Sequence, residues 1–282
     1  MLSPAKINWT LRILGRRADG FHELHSWFLA LDWGDDLGFQ PDPNATSSIL
    51  EISGPRANGI PTEPSNLLLQ AETLWREAGG MAPFGRWHLN KTIPAGAGLG
   101  GGSSNAATAL HLLQSIANQP LTDSVCRGIA QQIGSDVDFF FQQQTAELRG
   151  GRGEVVLAQV QPPDFHLVLV LADLHAATAD VYRSLKAKPL TERTAEEGTQ
   201  AWPQQAGPND LQAAAYTCVP GLAELGSRLE HHAPFTMSGS GSSFFAAVAT
   251  RSQADDLAAR LQSDGLQVVI CRPKSCTEAA AG

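Results

Sequence analysis

Apolar and polar residues alternate at the start of this chain: Ile7, Trp9, Leu11 and Ile13 are separated by polar side chains, the period of a half-buried strand. A second extended stretch, LHSWFLALDWGDDLGF, follows the turn RRADGFHE, where Asp19-Gly20 is hairpin punctuation. Ser48–Ser53 reads as a third strand. SNLLLQAETLWREAGG has helical spacing, with Ser65 as a possible N-cap and Gly79-Gly80 as its stop. Arg86–Ile93 is a strand, Ser104–Asn118 a helix, and Asp123–Ile133 a helix ended by Gly134. PPDFHLVLVLAD is a buried strand opened by two prolines. Residues 186–210 are polar and Pro/Gly-containing, the signature of a long loop. Helix 220–231, strand 243–249, helix 252–263 and strand 265–272 close the chain in an α+β pattern. A domain change is expected at about residue 158, giving units 1–158 and 159–282.

One segment breaks the periodicity. Residues 94–108, PAGAGLGGGSSNAAT, are glycine-dense and run into a helix. Such a loop presents backbone N–H groups free of side-chain obstruction, and the helix dipole adds positive potential there, so a phosphate-bearing ligand is expected. Gly96–Gly101 formally match GxGxxG. A dinucleotide site also wants an acidic residue closing the next strand about 20 residues on, and the next acidic residue here, Asp123, sits in a loop opening a helix. The GxxxxGK[ST] phosphate loop needs a lysine after the glycines, and none follows. The HRD-type and DFG motifs of protein kinases are missing. What remains is a glycine loop closed by Ser103-Ser104-Asn105, whose short polar side chains reach a phosphate or its Mg²⁺. Lys6 in SPAKINW and a second Gly/Ser loop, MSGSGSSFF (237–245), are the other candidates for lining a phosphate channel.

Composition narrows the class. The net charge is −8 with no Lys/Arg block, which argues against a nucleic-acid surface. No apolar run approaches the roughly 20 residues of a membrane span, and the opening MLSPAKINWTLRIL lacks the features of a secretory signal. The four cysteines have neither CxxC spacing nor paired histidines, so reduced and mostly buried thiols are expected. A cytoplasmic enzyme with no obligate protein partner is the expectation.

PAKINWTLRILGRRADGFHEL, KTIPAGAGLGGGSSNAATAL, IGSDVDFFF and MSGSGSSFF together resemble the GHMP kinase superfamily and, within it, the family of cytidylated-methylerythritol kinases of the non-mevalonate isoprenoid route. The resemblance spans essentially the whole chain, and the RADGFH segment separates it from homoserine, mevalonate and galactose kinases. It implies an N-terminal domain like ribosomal protein S5 domain 2, a C-terminal ferredoxin-like domain and an active site in the cleft between them. It further implies transfer of the ATP γ-phosphoryl group to a hydroxyl of cytidylated methylerythritol, with Asp136 as base and Lys6 as its partner. ATP would be wrapped by Pro94, Ala95, Gly96, Ala97, Gly98, Leu99, Gly100, Gly101, Gly102, Ser103 and Ser104. Asn66, Leu67 and Lys91 would border the adenine. Phe21, His22 and Tyr182 would hold the cytosine, with Thr178 nearby and Asn8 on substrate hydroxyls. Mg²⁺ would be held mostly by ATP phosphates and water, since no acidic pair at ligand spacing sits beside the loop. Asn209-Asp210 matches a pair read as opening a helix. Two departures stand out. Asp138 replaces a usual proline, so it either adds charge beside Asp136 or points away. Ala97 replaces a glycine, so the loop there must adopt a conformation that alanine tolerates. Another small-molecule kinase of the superfamily, such as a homoserine kinase, and a nucleotide-binding protein without turnover are the competing readings.

Overall fold

The alternation at the N-terminus becomes β1 (Leu2–Arg16), hydrogen-bonded antiparallel to the twenty-residue β2 (His22–Pro41) in a computed structural model that describes residues 1–185 and 202–275. β2 is long enough to take a second set of neighbours, pairing with β4 (Gly85–Asn90) at one end and β5 (Ala146–Gly151) at the other. β3 (Ile49–Ser53) adds in parallel to β4, and β6 (Val155–Val160) adds to β5, completing a six-stranded sheet. Both faces of this sheet are covered, which is why β1 is buried almost continuously from Ser3 to Leu11 rather than on one face. Against one face pack the helices α1 (Leu67–Glu77), α2 (Gly101–Ile116), α3 (Asp123–Ile133) and α4 (Ser135–Phe141), around Leu68, Trp75, Leu110 and Phe139.

β7 (His166–Val170) starts a second sheet. The expected boundary at 158 lies inside β6, and the chain changes sheets between Val160 and His166. Helices α5 (Thr178–Ser184), α6 (Gln212–Cys218) and α7 (Pro220–Glu230) follow. The short strand β8 (Thr236–Met237), β9 (Phe244–Val248), α8 (Arg251–Ser263) and β10 (Val268–Cys271) close it. The strand order β10-β7-β9-β8, all antiparallel, is the ferredoxin-like arrangement. α8 is set by a full capping box, with Thr250 and Gln253 each accepting the other's backbone N–H. The two sheets share a core. Ile7, Trp9 and Leu29 of the first pack with Phe165, Leu169 and Phe245 of the second part.

Several expectations change. The cap of α1 is Asn66, whose side chain accepts the Leu68 N–H, and not Ser65. α2 begins at Gly101 rather than Ser104, so the last glycines lie inside the helix. β5, β6 and three seven-residue helices carry no periodic signal. β5 reads AELRGG and buries both Glu147 and Arg149, a composition that argues against a strand until the two charges are seen to pair. Most of the 186–210 loop, residues 186–201, lies outside the described residues.

Candidate active site

The glycine loop leaves β4 and turns into α2 by placing positive φ on alternate residues: Gly96 (65°), Gly98 (75°) and Gly100 (70°). Ala97 falls between them and avoids the left-handed region, which is how the loop tolerates alanine there. The second Gly/Ser loop clamps it from outside. Ser238 Oγ donates to Gly98 O at 2.9 Å, and Ser243 N donates to Ala97 O at 3.2 Å. The fit leaves no room for a side chain, since a Cβ on Gly98 would lie 2.1 Å from Ser238 O. From inside the fold, Lys6 N donates to Leu99 O at 3.0 Å, and a Cβ on Gly100 would meet Phe140 and Lys6.

Asp35 anchors the same loop at its root. Fully buried on β2, it accepts from Lys91 Nζ (2.6 Å), Thr92 N (2.7 Å), Ile93 N (2.8 Å) and Asn105 Nδ2 (3.0 Å). Burial pulls the Lys91 ammonium below its ordinary value, and Asp35 opposes that shift. Asn105 also donates to Ser3 Oγ, which donates to Ser104 Oγ, so the first turn of α2 is bolted to β1. Asp35 has no local sequence signal; strand pairing brings it to the loop. Asn105, expected from the sequence to reach a phosphate or its Mg²⁺, is buried with its amide turned to Asp35 and Ser3 instead.

A cleft of about 1310 Å³ opens over this loop, larger than the ~300–1,000 Å³ of a single small-molecule pocket. Pro94 to Gly98, Gly100 to Ser103, Asn66 and Leu67 line one end. Leu99 and Ser104 do not line it; Leu99 is in the core shared by the sheets and Ser104 is fully buried. Lys91 borders the cleft with its ammonium committed to Asp35 and to Ile93 O at 2.7 Å.

Lys6 and Asp136 meet at the centre. Lys6 is buried, only 5 % exposed, with Nζ 3.4 Å from Asp136 Oδ2 and 4.6 Å from the centre of the Phe28 ring. It donates to Asn8 Oδ1 at 2.8 Å, and Asn8 Nδ2 donates to Ser26 Oγ at 2.8 Å, so both ends of that amide orient the lysine. Asp136 is in the first turn of α4, where the helix dipole favours a carboxylate. Asp138, two residues on, points away. It is fully buried and accepts from Arg149 Nη1 (2.9 Å), Arg127 Nε (3.0 Å) and Gln142 Nε2 (3.0 Å), a structural network rather than a second base.

The far end of the cleft is aromatic. His22 and Tyr182 stack at 5.3 Å between ring centroids, tilted by 35°, and Phe21 stands half exposed beside them. Burial and the nearby Arg16 guanidinium hold the His22 imidazole below its ordinary value. Burial, aided by the Asp136 carboxylate, pushes the Tyr182 phenol up to about 12, so it stays neutral. Thr178 Oγ1 shares a 2.9 Å hydrogen bond with Ser240 Oγ, tying α5 to the Gly/Ser loop. Asn209 donates to Met237 O and Gly239 O beneath that loop, while Asp210 accepts the Ile13 N–H; the helix after them starts at Gln212. Among the described residues no group of three or more His, Cys, Asp or Glu could hold a metal ion, and no helix is long and apolar enough to cross a membrane.

Comparison with known proteins agrees with this architecture. Residues 66–143 match the GHMP kinases N terminal domain and residues 192–266 the GHMP kinases C terminal domain. The chain is 38 % identical to a chloroplastic 4-diphosphocytidyl-2-C-methyl-D-erythritol kinase of Arabidopsis thaliana over 86 % of its own length, spanning 65 % of that relative. It is 38 % identical to the kinase of that name from Protochlamydia amoebophila, covering 87 % of this chain and 83 % of the relative. With the Burkholderia multivorans kinase it shares 34 % identity over 92 % of this chain and 89 % of the relative. A crystal structure of 4-(cytidine 5'-diphospho)-2C-methyl-D-erythritol kinase superposes with a TM-score of 0.78 at 30 % identity, covering 98 % of this chain and 99 % of that one. A Cytophaga hutchinsonii homoserine kinase shares the fold at a TM-score of 0.66 and 12 % identity. The chain belongs to the 4-diphosphocytidyl-2-C-methyl-D-erythritol kinase family of the GHMP kinases.

Proposed function

We propose that the protein transfers the γ-phosphoryl group of ATP to the 2-hydroxyl of 4-diphosphocytidyl-2-C-methyl-D-erythritol, in the cytoplasm and as a step of the non-mevalonate isoprenoid route. The observation that carries this is the Lys6–Asp136 pair, 3.4 Å apart, in the same cleft as the glycine loop and the His22–Tyr182 aromatic pair. Phosphoryl transfer asks the protein mainly to position reactants and neutralise charge. Asp136 accepts the hydroxyl proton. Lys6 pairs with that carboxylate and stabilises charge on the attacking oxygen or the γ-phosphate, and Asn8 holds Lys6 in place. The loop amides and the start of α2 suit the triphosphate, with Asn66 and Leu67 beside the base. Lys91 acts through the loop that it and Asp35 pin. Mg²⁺ would enter on the nucleotide, held by phosphate oxygens, water and the Ser103 hydroxyl, and would neutralise the phosphate charge. His22, neutral near pH 7, offers one donor and one acceptor to the cytosine edge while Phe21 and Tyr182 supply aromatic surface. The aromatic end, lined by Phe21, His22 and Tyr182, favours a base-bearing acceptor over homoserine.

The deciding measurement is ATP-dependent phosphorylation of the cytidylated substrate against homoserine and mevalonate. Asp136→Asn should lower kcat by about 10²–10⁴-fold, the usual contribution of a general base, with folding intact. Failure of the wild type to phosphorylate the cytidylated substrate would reject the proposal.

A further inference from the structure

The proposed transfer machinery leaves two cations of the cleft without a task. Lys6 is paired with Asp136, Lys91 with Asp35, and Arg183 with Asp180. Arg16 and Arg152 also line the cleft, beside Gly20 and Phe21 of the Asp19–His22 turn. Arg16 is exposed and donates through Nε to Gly20 O at a long 3.4 Å. Arg152 lies with its guanidinium carbon 4.6 Å above the Phe21 ring, and its ion pair with Glu154 is stretched to 4.0 Å. Neither guanidinium is locked into a bidentate carboxylate pair.

The acceptor, on the reading above, carries a diphosphate between its cytosine and its reacting hydroxyl. The glycine loop serves the triphosphate at the other end, and the aromatic pocket serves only the base. A diphosphate drawn into the cleft without cations would lose its hydration uncompensated. We propose that Arg16 and Arg152 form an anion subsite for the diphosphate arm of the acceptor, an inference that rests on the function proposed above. Arginine suits it because the planar fork matches phosphate oxygens in pairs. Seating Arg152 on Phe21 orients that fork by cation–π contact, so base stacking and phosphate binding share one support.

The test is calorimetric titration with CDP and with cytidine, the nucleotide end being saturated by a non-hydrolysable ATP analogue. The wild type should bind CDP at least tenfold more tightly than cytidine. Arg16→Gln and Arg152→Gln should each weaken CDP about tenfold, the size of one charge-assisted hydrogen bond, and cytidine less than about twofold. Arg152→Lys, which keeps the charge and loses the fork, should fall between. Equal weakening of CDP and cytidine by Arg152→Gln would reduce that residue to a prop for Phe21 and overturn the subsite, as would unchanged CDP affinity in both variants. A wild type that binds cytidine but CDP no better would overturn the subsite alone. One that binds neither and leaves the cytidylated substrate unphosphorylated would remove the functional reading and the subsite together.

Discussion

His22 and Asp138 show how far two titratable residues of similar sequence prominence can diverge. His22 has its folded pKa below the ordinary 6.5 because burial and Arg16 disfavour its charged form. Between the folded value and 6.5 the unfolded chain binds more protons, so stability rises with pH across that window. Its contribution is complete above 6.5 and is lost as pH falls through the folded value. The urea midpoint of wild type relative to His22→Gln should therefore be flat above about pH 7 and turn against wild type below 6.5; the opposite trend would mean that the imidazolium is the favoured form. Asp138 works by balance of charge. With Glu147 it faces Arg149, all three fully buried, and Arg127 completes two cations against two anions. Asp138→Asn leaves Arg149 short of a carboxylate, and should cost about 3 kcal/mol in urea unfolding, as broken buried pairs do. Its kcat per folded molecule should stay within a few-fold of wild type, in contrast to Asp136→Asn.

At the scale of elements, glycines of similar appearance do different work. Gly98 sits at φ +75° under the Ser238 carbonyl, whereas Gly128, inside α3 on its exposed face, has nothing within 4 Å of a built Cβ. Gly98→Ala must push the two loops apart, so the KM for ATP should rise more than tenfold and the melting temperature should drop. Gly128→Ala should stabilise the protein by about 0.5–1 kcal/mol through helix propensity and leave both KM values unchanged. Steady-state kinetics beside thermal melts would separate the two effects, and a neutral Gly98→Ala would refute the clamp between the loops.

For the molecule as a whole, the core shared by the sheets makes the cleft walls a single mechanical unit. Phe245 is fully buried there on β9, its ring 5.9 Å from that of Trp9 on β1. Phe245→Ala should cost about 3–5 kcal/mol, and the loss should appear as one shifted transition, the same by near- and far-UV circular dichroism. Two separated transitions would mean that the halves unfold independently.

What the sequence alone determined was what short spacing can encode. The alternation of β1, the helix after Asn66, the glycine loop and the helix expected at 252–263 are local patterns whose physics is complete within a dozen residues. The residues of the candidate site were legible through motifs, down to Lys6, Asp136, Phe21 and His22, and the family was legible through their order along the chain. Tertiary structure decided what depends on partners distant in sequence. It turned Asp35 into the anchor of a loop 60 residues away, made AELRGG a strand by pairing its charges, and sent Asp138 inward while Asp136 faced Lys6. It also set Arg152 against Phe21. The physical reason is the same in each case: a buried charge is tolerable only beside its counter-charge, and the fold rather than local spacing brings the two together.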